Sequence, residues 1–441
     1  MISEPNESNA GGAPEREPIG VVGVGWVGLV TAACFAEQGH DVWAMDIDAD
    51  KIASLSAAKL TIHEPDLPEL VRANAERLNF TTSMSEVLDH TRLLFCCVDT
   101  PPTLSGDADL SRVRAVVEQL PGDSEHALVM KSTVPTGTGA SIRRDVPSLP
   151  YVSCPEFLKE GSAVADFLHP DRVVIGADPG DEWAAEAVAR AYRPLGGELV
   201  HTDVASAEMT KLASNAFLAT KISFINEIAN VCEEVGADVT EVARGMGLDE
   251  RIGPQFLNAG IGYGGSCFPK DVTALKQLAG NSGYHFQLLN AVIEVNELQK
   301  RRVLGKLTKH LGSLVGKRIV LLGLAFKPHT DDMREASSLV LAARLQGEGA
   351  DVVAYDPVAA GAASEMLPAV EMAESAATAL RGVDAAVIVT EWPEFAELDW
   401  RAAAAEMANP IVVDGRNFLD PKAMRAAGLT YDSIGRGAPA G

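Results

Sequence analysis

The sequence lacks the features of several specialised protein classes. Only six of its 441 residues are cysteines, and they form neither a CxxC pair nor the spacing of a disulfide scaffold. Free thiols in a reducing cytoplasm are therefore expected. No apolar run is long enough to span a membrane, and residues 1–18 lack the basic and apolar regions of a signal peptide. We expect a cytoplasmic protein without a membrane partner.

Positive charge is also scarce. The chain has 37 lysines and arginines against 61 aspartates and glutamates, so its net charge is −24. This balance argues against a nucleic-acid partner, because binding to nucleic-acid phosphates needs a basic surface. A small anionic ligand is still compatible with this net negative charge, because a local cluster of basic side chains and backbone N–H groups can hold a phosphate. The length and the 47% of hydrophobic residues indicate a globular protein of two or three domains.

What the chain does contain is an alternation of short apolar runs and helical patterns. The first unit is the strand Ile19–Gly23, the helix Val27–Gln38 and the strand Asp41–Asp46. Further strands are predicted at Leu93–Val98, Leu128–Lys131, Tyr151–Ser153 and Val173–Ile175 and, in a second unit, at Arg318–Gly323, Asp351–Tyr355, Ala385–Val389 and Ile411–Val413. This order predicts an α/β protein with two Rossmann-like, doubly wound domains.

The stretch between the two units has a different character. Residues Ser206–Val235 contain no Gly or Pro and are apolar on more than one face, which predicts a long central helix between domains or subunits. More helix is predicted up to about Leu311. The second unit opens with the turn GLAFKP, which lacks the later glycines of a dinucleotide fingerprint. No dinucleotide is therefore expected there.

A glycine pattern follows the first strand. Gly23, Gly25 and Gly28 form a G-x-G-x-x-G between a strand and a helix, where backbone can approach a pyrophosphate and the helix N-terminus supplies N–H donors. An acid is expected about 20 residues on, and Asp46 stands there with two further aspartates close by. Its carboxylate would accept ribose hydroxyls and repel an extra phosphate, which favours NAD over NADP. The alternative interpretation is that the three glycines only form a tight turn and that Asp46 is a solvated surface residue.

Four polar positions admit a functional or an ordinary structural interpretation. Thr100 and Thr133 follow predicted strands, where open α/β sheets bind ligands, but Thr-Pro and Val-Pro are also common in turns. Glu156 and Glu160 are four residues apart and could share a helix face. They would then be either paired carboxylates for acid–base chemistry or part of a solvated surface.

Lys211 and Asn215 lie four residues apart in the long helix. A lysine on a buried face costs free energy unless it is paired or functional. Lys211 is therefore a candidate acid, base or holder of a developing alkoxide. Lys221, roughly 80° away around the helix, could instead extend towards solvent. Periodicity does not separate the two lysines.

The segment Asn258–Asp271 is the most informative part of the chain. Its Gly-rich backbone precedes Cys267 and suits contact with phosphate or sugar hydroxyls. Pro269 predicts a helix start just beyond Cys267, and a helix N-terminus beside Lys270 would favour the thiolate. Asp271 lies one turn later and could position a base or a water molecule. Cys267 is thus a candidate nucleophile, whereas the other five cysteines are interpreted as small buried hydrophobes.

Together these segments resemble the UDP-glucose 6-dehydrogenase family, within the group that also contains GDP-mannose and UDP-N-acetylmannosamine dehydrogenases. The resemblance runs from about Ile19 to Phe418 and includes GVGWVGL, VDTPP, KSTVPTGT, PEFLKEGSAVADFLHPDRVVIG, KLASNAFLATKISFINEIA, FLNAGIGYGGSCFPKD, GLAFKPHTDDMREASS and DGRNF. It implies a leader at 1–16, an NAD-binding Rossmann domain at 17–205, a central helical dimerisation region at 206–311, a C-terminal UDP-sugar-binding domain at 312–435 and a flexible tail at 436–441.

The resemblance also implies the chemistry. The family oxidises the C6 alcohol of the sugar twice with NAD, here UDP-glucose to UDP-glucuronate for polysaccharide synthesis, and the scheme needs no metal. Cys267 matches the nucleophile that carries the thiohemiacetal and then the thioester, which is finally hydrolysed. A homodimer is expected.

The residues that match the family's site fall into three groups. The catalytic group is Cys267, Lys211, Asp271, Asn215, Thr133 and Glu160. The cofactor group is Gly23, Gly25, Trp26, Val27, Gly28, Asp46, Lys51, Thr100, Thr133, Glu160, Lys270 and Arg334. The substrate group is Glu156, Phe157, Leu158, Lys159, Lys211, Asn215, Arg251, Asn258, Ile261, Gly262, Tyr263, Gly264, Phe326, Lys327 and Arg416. Of these, Arg251 matches an arginine that reaches the substrate of the partner subunit.

Three residues depart from the family's motifs. Trp26 replaces the tyrosine of the GxGYVG turn, Asp66 replaces the glycine of EPGL, and Cys154 replaces the asparagine of NPEF. These changes are expected to affect packing or loop shape.

Other functions fit the sequence less well. GDP-mannose and UDP-N-acetylmannosamine are the alternative substrates within the family. A sugar-nucleotide sensor without activity is disfavoured, because it need not keep Cys267, Lys211 and Asp271 together. A one-step hydroxyacid dehydrogenase needs no cysteine nucleophile and leaves GGSCFPKD unexplained.

Overall fold

The computed structural model describes residues 16–60 and 62–436. Apart from Arg16 and Arg436, the leader and the tail expected at the two ends lie outside these residues. Within the described part of the chain, no helix combines the length and the apolar character needed to cross a membrane.

The N-terminal part of the chain is built on one eight-stranded sheet. Its strands are β1 (Ile19–Val22), β2 (Val42–Met45), β3 (Leu78–Thr81), β4 (Leu93–Cys96), β5 (Ala127–Met130), β6 (Tyr151–Ser153), β7 (Arg172–Ala177) and β8 (Glu198–Thr202). They lie in the order β3–β2–β1–β4–β5–β6–β7–β8. All neighbouring strands are parallel except β6 and β7. The doubly wound sheet is confirmed, with one antiparallel pair that the alternation of elements did not reveal.

Helices cover both faces of this sheet. They are α1 (Trp26–Glu37), α2 (Ala49–Ser56), α3 (Leu67–Ala73), α4 (Met84–His90), α5 (Ser111–Val117), α6 (Thr138–Asp145), α7 (Ala163–Leu168) and α8 (Glu182–Tyr192). The central strands β1, β4 and β5 are fully buried because helices pack on either side of them. Strands buried on both faces appear in a sequence as continuous apolar runs, which is why these were predicted.

The central part of the chain is helical. It consists of α9 (Val204–Val235), α10 (Val239–Gly247), α11 (Phe268–Asn281), α12 (Gln287–Gln299) and α13 (Arg302–Leu311). α9 is 32 residues long, begins after Asp203, whose side chain accepts the N–H of Ser206, and ends at the left-handed Gly236. Leu212 and Ala219 of α9 pack against Leu275 of α11. The predicted central helix is thus confirmed.

The C-terminal part of the chain is a second α/β unit. Its strands are β9 (Arg318–Leu322), β10 (Asp351–Tyr355), β11 (Glu371–Met372), β12 (Ala385–Ile388), β13 (Ile411–Asp414) and β14 (Thr430–Ser433). They form a parallel sheet in the order β11–β10–β9–β12–β13–β14. Its helices are α14 (Ser337–Gly347), α15 (Ala360–Met366), α16 (Ala376–Ala379), α17 (Pro393–Ala396), α18 (Trp400–Glu406) and α19 (Pro421–Ala426).

Four strands were not predicted, and all four lie at the edges of the two sheets. They are β3 and β8 in the first sheet and β11 and β14 in the second. β8, for example, has no fully buried residue, and β11 is only two residues long. Short, partly exposed edge strands produce no apolar run, so the sequence pattern that indicates the inner strands is absent from them.

Two of the departures from the family's motifs have a visible structural setting. Asp66 precedes α3 with a φ of +65°, the left-handed region that favours glycine. Aspartate is one of the few other residues that adopt this conformation with little strain. Cys154 follows β6 and is fully buried in the core under α1. All six cysteines, which lie in the described residues, are free thiols.

Candidate active site

A cleft of about 980 Å³ opens where the first sheet, the central helices and the C-terminal unit meet. One wall is formed by the carboxyl ends of β1, β4 and β5, where parallel α/β sheets bind their ligands. Predicted site residues that line the cleft are Gly25, Trp26, Val27, Thr100, Thr133, Glu156, Glu160, Tyr263, Cys267, Lys270 and Arg334. Residues from all three parts of the chain therefore face one space.

The glycine turn after β1 is held in the conformation that a dinucleotide requires. Gly23 has a φ of +90°, and a Cβ on Gly28 would stand 1.8 Å from the carbonyl oxygen of Gly23. A Cβ on Gly25 would instead point into open space, with Asp99 the nearest atom at 3.9 Å. α1 begins at Trp26, so its N-terminal N–H groups face the cleft. The backbone thus leaves room for a phosphate at the positive end of a helix.

Asp46 stands at the end of β2, beside this turn. It accepts hydrogen bonds from the Val24 N–H at 3.0 Å and from Lys51 Nζ at 2.9 Å. Burial opposes ionisation, but the hydrogen bonds from Lys51 and from backbone N–H groups lower the pKa of Asp46 below its ordinary value. Asp46 is therefore a carboxylate beside the glycine turn, and its contact with a ribose stays a prediction.

Glu64 is a buried residue next to this wall that sequence reasoning missed. Its carboxylate accepts the Trp26 indole N–H at 2.9 Å and the backbone N–H groups of Gly161 and Ala163 at 2.8 Å each. The contact gives Trp26 a polar partner at the position where the family has tyrosine. Glu64 lies far from these residues in the sequence, so only the fold brings them together.

Thr100 and Thr133 lie at neighbouring strand ends. The Thr100 hydroxyl donates to the backbone carbonyl of Thr133 at 2.8 Å. Ser132 in turn donates to the carbonyl of Val98 at 2.6 Å. The two loops are thereby tied together beneath the cleft, which keeps the Thr133 side chain at its wall.

Lys211 and Glu156 form a buried ion pair. Lys211 Nζ donates to Glu156 Oε1 at 2.7 Å, and both side chains are about 95% buried or more. Burial alone would lower the pKa of Lys211, but the neighbouring carboxylates, Glu156 above all, raise it above the ordinary value. The same pair lowers the pKa of Glu156 despite its burial. Lys211 therefore stays an ammonium ion, and Glu156 stays a carboxylate.

The hypothesis that Glu156 and Glu160 share a helix face was wrong. Residues 154–159 form no helix, and the two carboxylates have different partners. Glu156 accepts from Lys211 and from the N–H of Leu158. The chain leaves β6 in an irregular loop, which gives the two acids separate surroundings.

Asn215 and Asp271 adjoin the ion pair. Asn215 Nδ2 donates to Asp271 Oδ2 at 2.6 Å, and Lys270 Nζ donates to Asp271 Oδ1 at 2.7 Å. Both oxygens of the buried Asp271 carboxylate are therefore held. α9 and α11 meet here, one helix supplying Lys211 and Asn215 and the other supplying Asp271.

Cys267 is the residue immediately before α11, with Pro269 in the first turn. The predicted helix start is thus confirmed, but the prediction of a favoured thiolate was wrong. Burial and the nearby carboxylate of Glu156 raise the pKa of Cys267 to about 11, although Lys211 opposes them. Lys270 makes its ion pair with Asp271 instead of the sulfur. At rest Cys267 is a thiol.

Glu160 lies where all three parts of the chain meet. Its Oε1 accepts the hydroxyl of Ser266 at 3.3 Å and is 3.6 Å from Arg334 Nη2, and its Oε2 accepts the hydroxyl of Thr330 at 3.4 Å. Burial and the negative charge of Asp332 raise the pKa of Glu160 to about 7, although Arg334 and Lys327 oppose them. This carboxyl group can therefore both accept and release a proton near neutral pH.

The Gly-rich segment before Cys267 is held by side chains of α12. Asn296 accepts the Tyr263 N–H at 2.8 Å and donates to the Tyr263 carbonyl at 3.1 Å. Cβ atoms would collide with Asn296 if added to Gly262 and with the Glu335 carbonyl if added to Gly264. Sequence reasoning missed Asn296, because it lies in a mostly apolar helix whose sequence contains no motif that indicates a binding site.

The C-terminal unit contacts the same segment. Arg416 donates to the carbonyls of Gly262 at 2.9 Å and of Val389 at 2.7 Å. The ring of Phe326 lies against Gly265, within 2.8 Å of where its Cβ would stand. Burial lowers the pKa of Lys327, whose charge faces Glu160 and Cys267.

The remaining predicted substrate residues differ in their setting. Phe157 lies under Arg172, 3.9 Å from ring centre to guanidinium. Lys159 pairs with Asp166 at 3.1 Å, and Ile261 is fully buried. Asn258 is exposed. The arginine expected to reach a partner subunit, Arg251, pairs with Asp249 and is 88% exposed, so its role stays a prediction.

Comparison with known proteins agrees with this arrangement. Models of the UDP-glucose/GDP-mannose dehydrogenase family match in three parts: the NAD-binding domain at residues 17–196, the central domain at 205–298 and the UDP-binding domain at 320–421. The UDP-glucose 6-dehydrogenase TuaD of Bacillus subtilis is 45% identical over 438 residues, which cover 96% of this chain and 94% of TuaD.

This chain belongs to the UDP-glucose/GDP-mannose dehydrogenase family.

Two solved structures of similar proteins have the same fold. A UDP-glucose dehydrogenase from Pyrobaculum islandicum is 37% identical with a TM-score of 0.88, over 96% of this chain and 98% of that one. A UDP-D-ManNAc dehydrogenase from Pyrococcus horikoshii is 28% identical with a TM-score of 0.84, over 95% of this chain and 99% of that one. The expected NAD-binding domain is confirmed by the family match at residues 17–196, which includes the glycine turn and Asp46.

The glycine turn provides a test of the cofactor site. We expect Gly28→Ala to weaken NAD binding at least about tenfold, measured by isothermal titration calorimetry, because its Cβ would stand 1.8 Å from the Gly23 carbonyl. The matched control is Gly305→Ala on the exposed side of α13, where an added Cβ meets no atom within 4 Å. Wild-type affinity in the Gly28 variant would contradict this account of the turn.

Proposed function

We propose that this protein oxidises UDP-glucose to UDP-glucuronate, with NAD as oxidant and Cys267 as the covalent nucleophile. The observation that carries the proposal is the position of the Cys267 thiol. It lies in the same cleft as the NAD turn and beside the buried ammonium group of Lys211. The family match and the 45% identity to a UDP-glucose 6-dehydrogenase support the substrate. We also propose 17–205, 206–311 and 312–435 as the domain limits.

The residues around the glycine turn fit NAD. Gly25, Trp26 and Val27 would face its pyrophosphate, and the ionised Asp46 would accept its ribose hydroxyls. Arg334 lines the same cleft and would meet a phosphate of the cofactor. NAD, when bound, accepts the hydride in each of the two oxidations.

Lys211 stabilises the negative charge that develops on the sugar oxygen. Because its partners keep it protonated, it acts as a fixed cation beside the alkoxide and, later, beside the oxyanions of the covalent intermediates. Asn215 holds Asp271 in place, so that its carboxylate can orient the reacting hydroxyl or a water molecule. The alternative that Lys211 is a base is disfavoured, since a base must be neutral at the working pH.

Cys267 prevents loss of the aldehyde between the two oxidations. Its sulfur adds to the aldehyde carbon, and oxidation of the resulting thiohemiacetal gives a thioester. Hydrolysis then releases the acid. Glu160 is placed to take a proton from the attacking water, because its pKa of about 7 leaves it half ionised near neutral pH.

The substrate residues proposed for the UDP-sugar lie opposite the NAD turn. Lys327 and Arg416 supply positive charge, and the glycines between Ile261 and Cys267 expose backbone that can approach a diphosphate. Such a local cluster offsets the acidic character of the whole chain.

The stoichiometry of the reaction is the direct test. We expect about two NADH per UDP-glucose, measured by absorbance with limiting substrate, because the covalent route completes both oxidations before release. GDP-mannose and UDP-N-acetylmannosamine serve as comparison substrates. We expect Cys267→Ser to stall before the acid is released. One NADH per UDP-glucose, or normal turnover of the serine variant, would overturn the covalent four-electron reaction.

The pH dependence of thioester hydrolysis tests the role of Glu160. Since the carboxylate is the active base, hydrolysis should speed up as pH rises and level off above about 7. We expect Glu160→Gln to remove this rising limb of the pH–rate profile and to slow hydrolysis by about 10²-fold or more, measured by chemical quench. Glu297→Gln changes another carboxylate of the same cleft and should keep the limb. A pH limb that survives in the Glu160 variant would argue against this assignment.

We further propose that two copies pair through α9. Phe217, Phe224 and Val231 are 66%, 50% and 56% exposed and lie seven residues apart, so they form one apolar stripe along the helix. Beside it lies an apolar groove of about 610 Å³, lined among others by Met209, Phe286 and Leu288. A two-fold axis would place the same stripe on both subunits, which suits a self-complementary contact. Arg251 would then lie near the other subunit.

Charge on the stripe should abolish pairing. We expect the double change Phe217→Glu and Phe224→Glu to give a monomer in size-exclusion chromatography with light scattering, because carboxylates cannot be buried there unpaired. Val315→Glu, at a 73% exposed apolar residue of the C-terminal part, should keep the dimer. A wild-type monomer, or a dimer that survives the double change, would reject this interface.

A further inference from the structure

Ser266 connects the nucleophile to an acid–base group. Its hydroxyl donates to Glu160 Oε1 at 3.3 Å, and its oxygen lies 3.6 Å from the sulfur of Cys267. Because the hydroxyl proton points to Glu160, the oxygen is free to accept the S–H proton. A continuous path of two hydrogen bonds therefore runs from the thiol to the carboxylate.

The thiol needs such a path. Its pKa of about 11 means that Cys267 carries its proton at neutral pH, and that proton must leave when the sulfur attacks. The other carboxylates nearby are occupied: Glu156 accepts from Lys211 and from Leu158 N–H.

Each oxygen of Asp271 also accepts a short hydrogen bond from a side chain. One of its oxygens accepts from Asn215 and the other from Lys270. Glu160 accepts only hydroxyl hydrogen bonds within the described residues, at 3.3 and 3.4 Å. Its ion pair with Arg334 is also long, at 3.6 Å, so its oxygens are held less tightly than those of Glu156 and Asp271. Ser266 is the side chain that connects Glu160 to the sulfur.

We propose that Ser266 is a catalytic residue that relays the proton between the Cys267 thiol and the Glu160 carboxylate. This inference rests on the proposed function, since it concerns the covalent step of that reaction. It adds Ser266 to the reacting groups, and it gives Glu160 a second role as acceptor of the thiol proton before the hydrolysis.

The addition step moves two protons along this path. The S–H proton of Cys267 passes to Ser266 Oγ while the Ser266 hydroxyl proton passes to Glu160. A lone pair of electrons on the Cys267 sulfur forms the C–S bond, and the π electrons of the aldehyde C=O bond move onto its oxygen. The products are a thiohemiacetal oxyanion, stabilised by Lys211, and a protonated Glu160.

Hydrolysis runs the relay in reverse. After losing its proton to solvent, Glu160 accepts one from the water that attacks the thioester. When the C–S bond breaks, the thiolate takes a proton from Ser266, and Ser266 takes one from Glu160. Cys267 and Glu160 thus return to their starting states.

The charged groups around the Cys267 sulfur and around the Glu160 carboxyl group set the pH range in which this relay works. Glu156, Lys211 and Asp271 face the sulfur. Asp332, Arg334 and Lys327 face Glu160. These groups are the same in the variants below, so a change in the pH profile reports on the relay itself.

The test uses full-length enzyme with NAD and the 6-aldehyde of UDP-glucose in single-turnover stopped flow, where NADH reports thiohemiacetal formation and oxidation. We expect Ser266→Ala to slow NADH formation about 10²-fold and to replace the plateau above pH 7 by a steady rise with pH, because hydroxide must then remove the thiol proton. Ser266→Thr keeps a hydroxyl and should restore most of the rate and the plateau.

The matched control is Thr330→Val, which removes the hydroxyl on the other oxygen of Glu160. It should keep the plateau. The relay is overturned if Ser266→Ala matches the wild-type rate and profile, if Ser266→Thr is as slow as Ser266→Ala, or if Thr330→Val shows the same loss. A parallel assay of the wild-type enzyme with UDP-glucose tests the proposed function separately. If that assay gives fewer than two NADH per UDP-glucose, the proposed function is rejected, whereas the results of the variants test only the relay.

Discussion

The buried ion pair between Lys211 and Glu156 is the contact on which the rest of the site depends. It joins the loop after β6 to the N-terminal third of α9 and so connects the first sheet to the central helices. Removing one partner from such a pair costs about 3–5 kcal/mol, because the other charge is left buried alone. The pair also keeps the lysine cationic, as the proposed stabilisation of the alkoxide and oxyanions requires.

The same charges explain why the nucleophile is protonated at rest. A cysteine before a helix would be expected to ionise easily, but burial and the acids around Cys267 outweigh the helix and the nearby lysine. The thiol is then poorly reactive towards solvent oxidants, which react with thiolates. The proposed reaction needs an aldehyde for the sulfur to attack and a group that accepts the thiol proton, and Glu160 is the acceptor that we propose.

The inner elements and the main motifs could be predicted from the sequence, because each depends on neighbours along the chain. Strands buried on both faces form apolar runs, and the glycine turn and the segment before Cys267 show their backbone requirements as glycines. The four edge strands could not be predicted, since half-exposed residues form no such run. Glu156 and Glu160 were misplaced on a shared helix because a spacing of four does not distinguish a helix from an irregular loop.

Residue types and their spacing along the chain were sufficient to determine the α/β class, the NAD turn, the long helix and the candidate nucleophile. Tertiary structure alone decided which charges meet. It paired Lys211 with Glu156, turned Lys270 away from the sulfur, and placed Ser266 between Cys267 and Glu160. The physical reason is that a protonation state depends on burial and on charges within a few ångströms. In this site those neighbours come from β6, α9, α11 and the C-terminal unit, which are far apart in the chain.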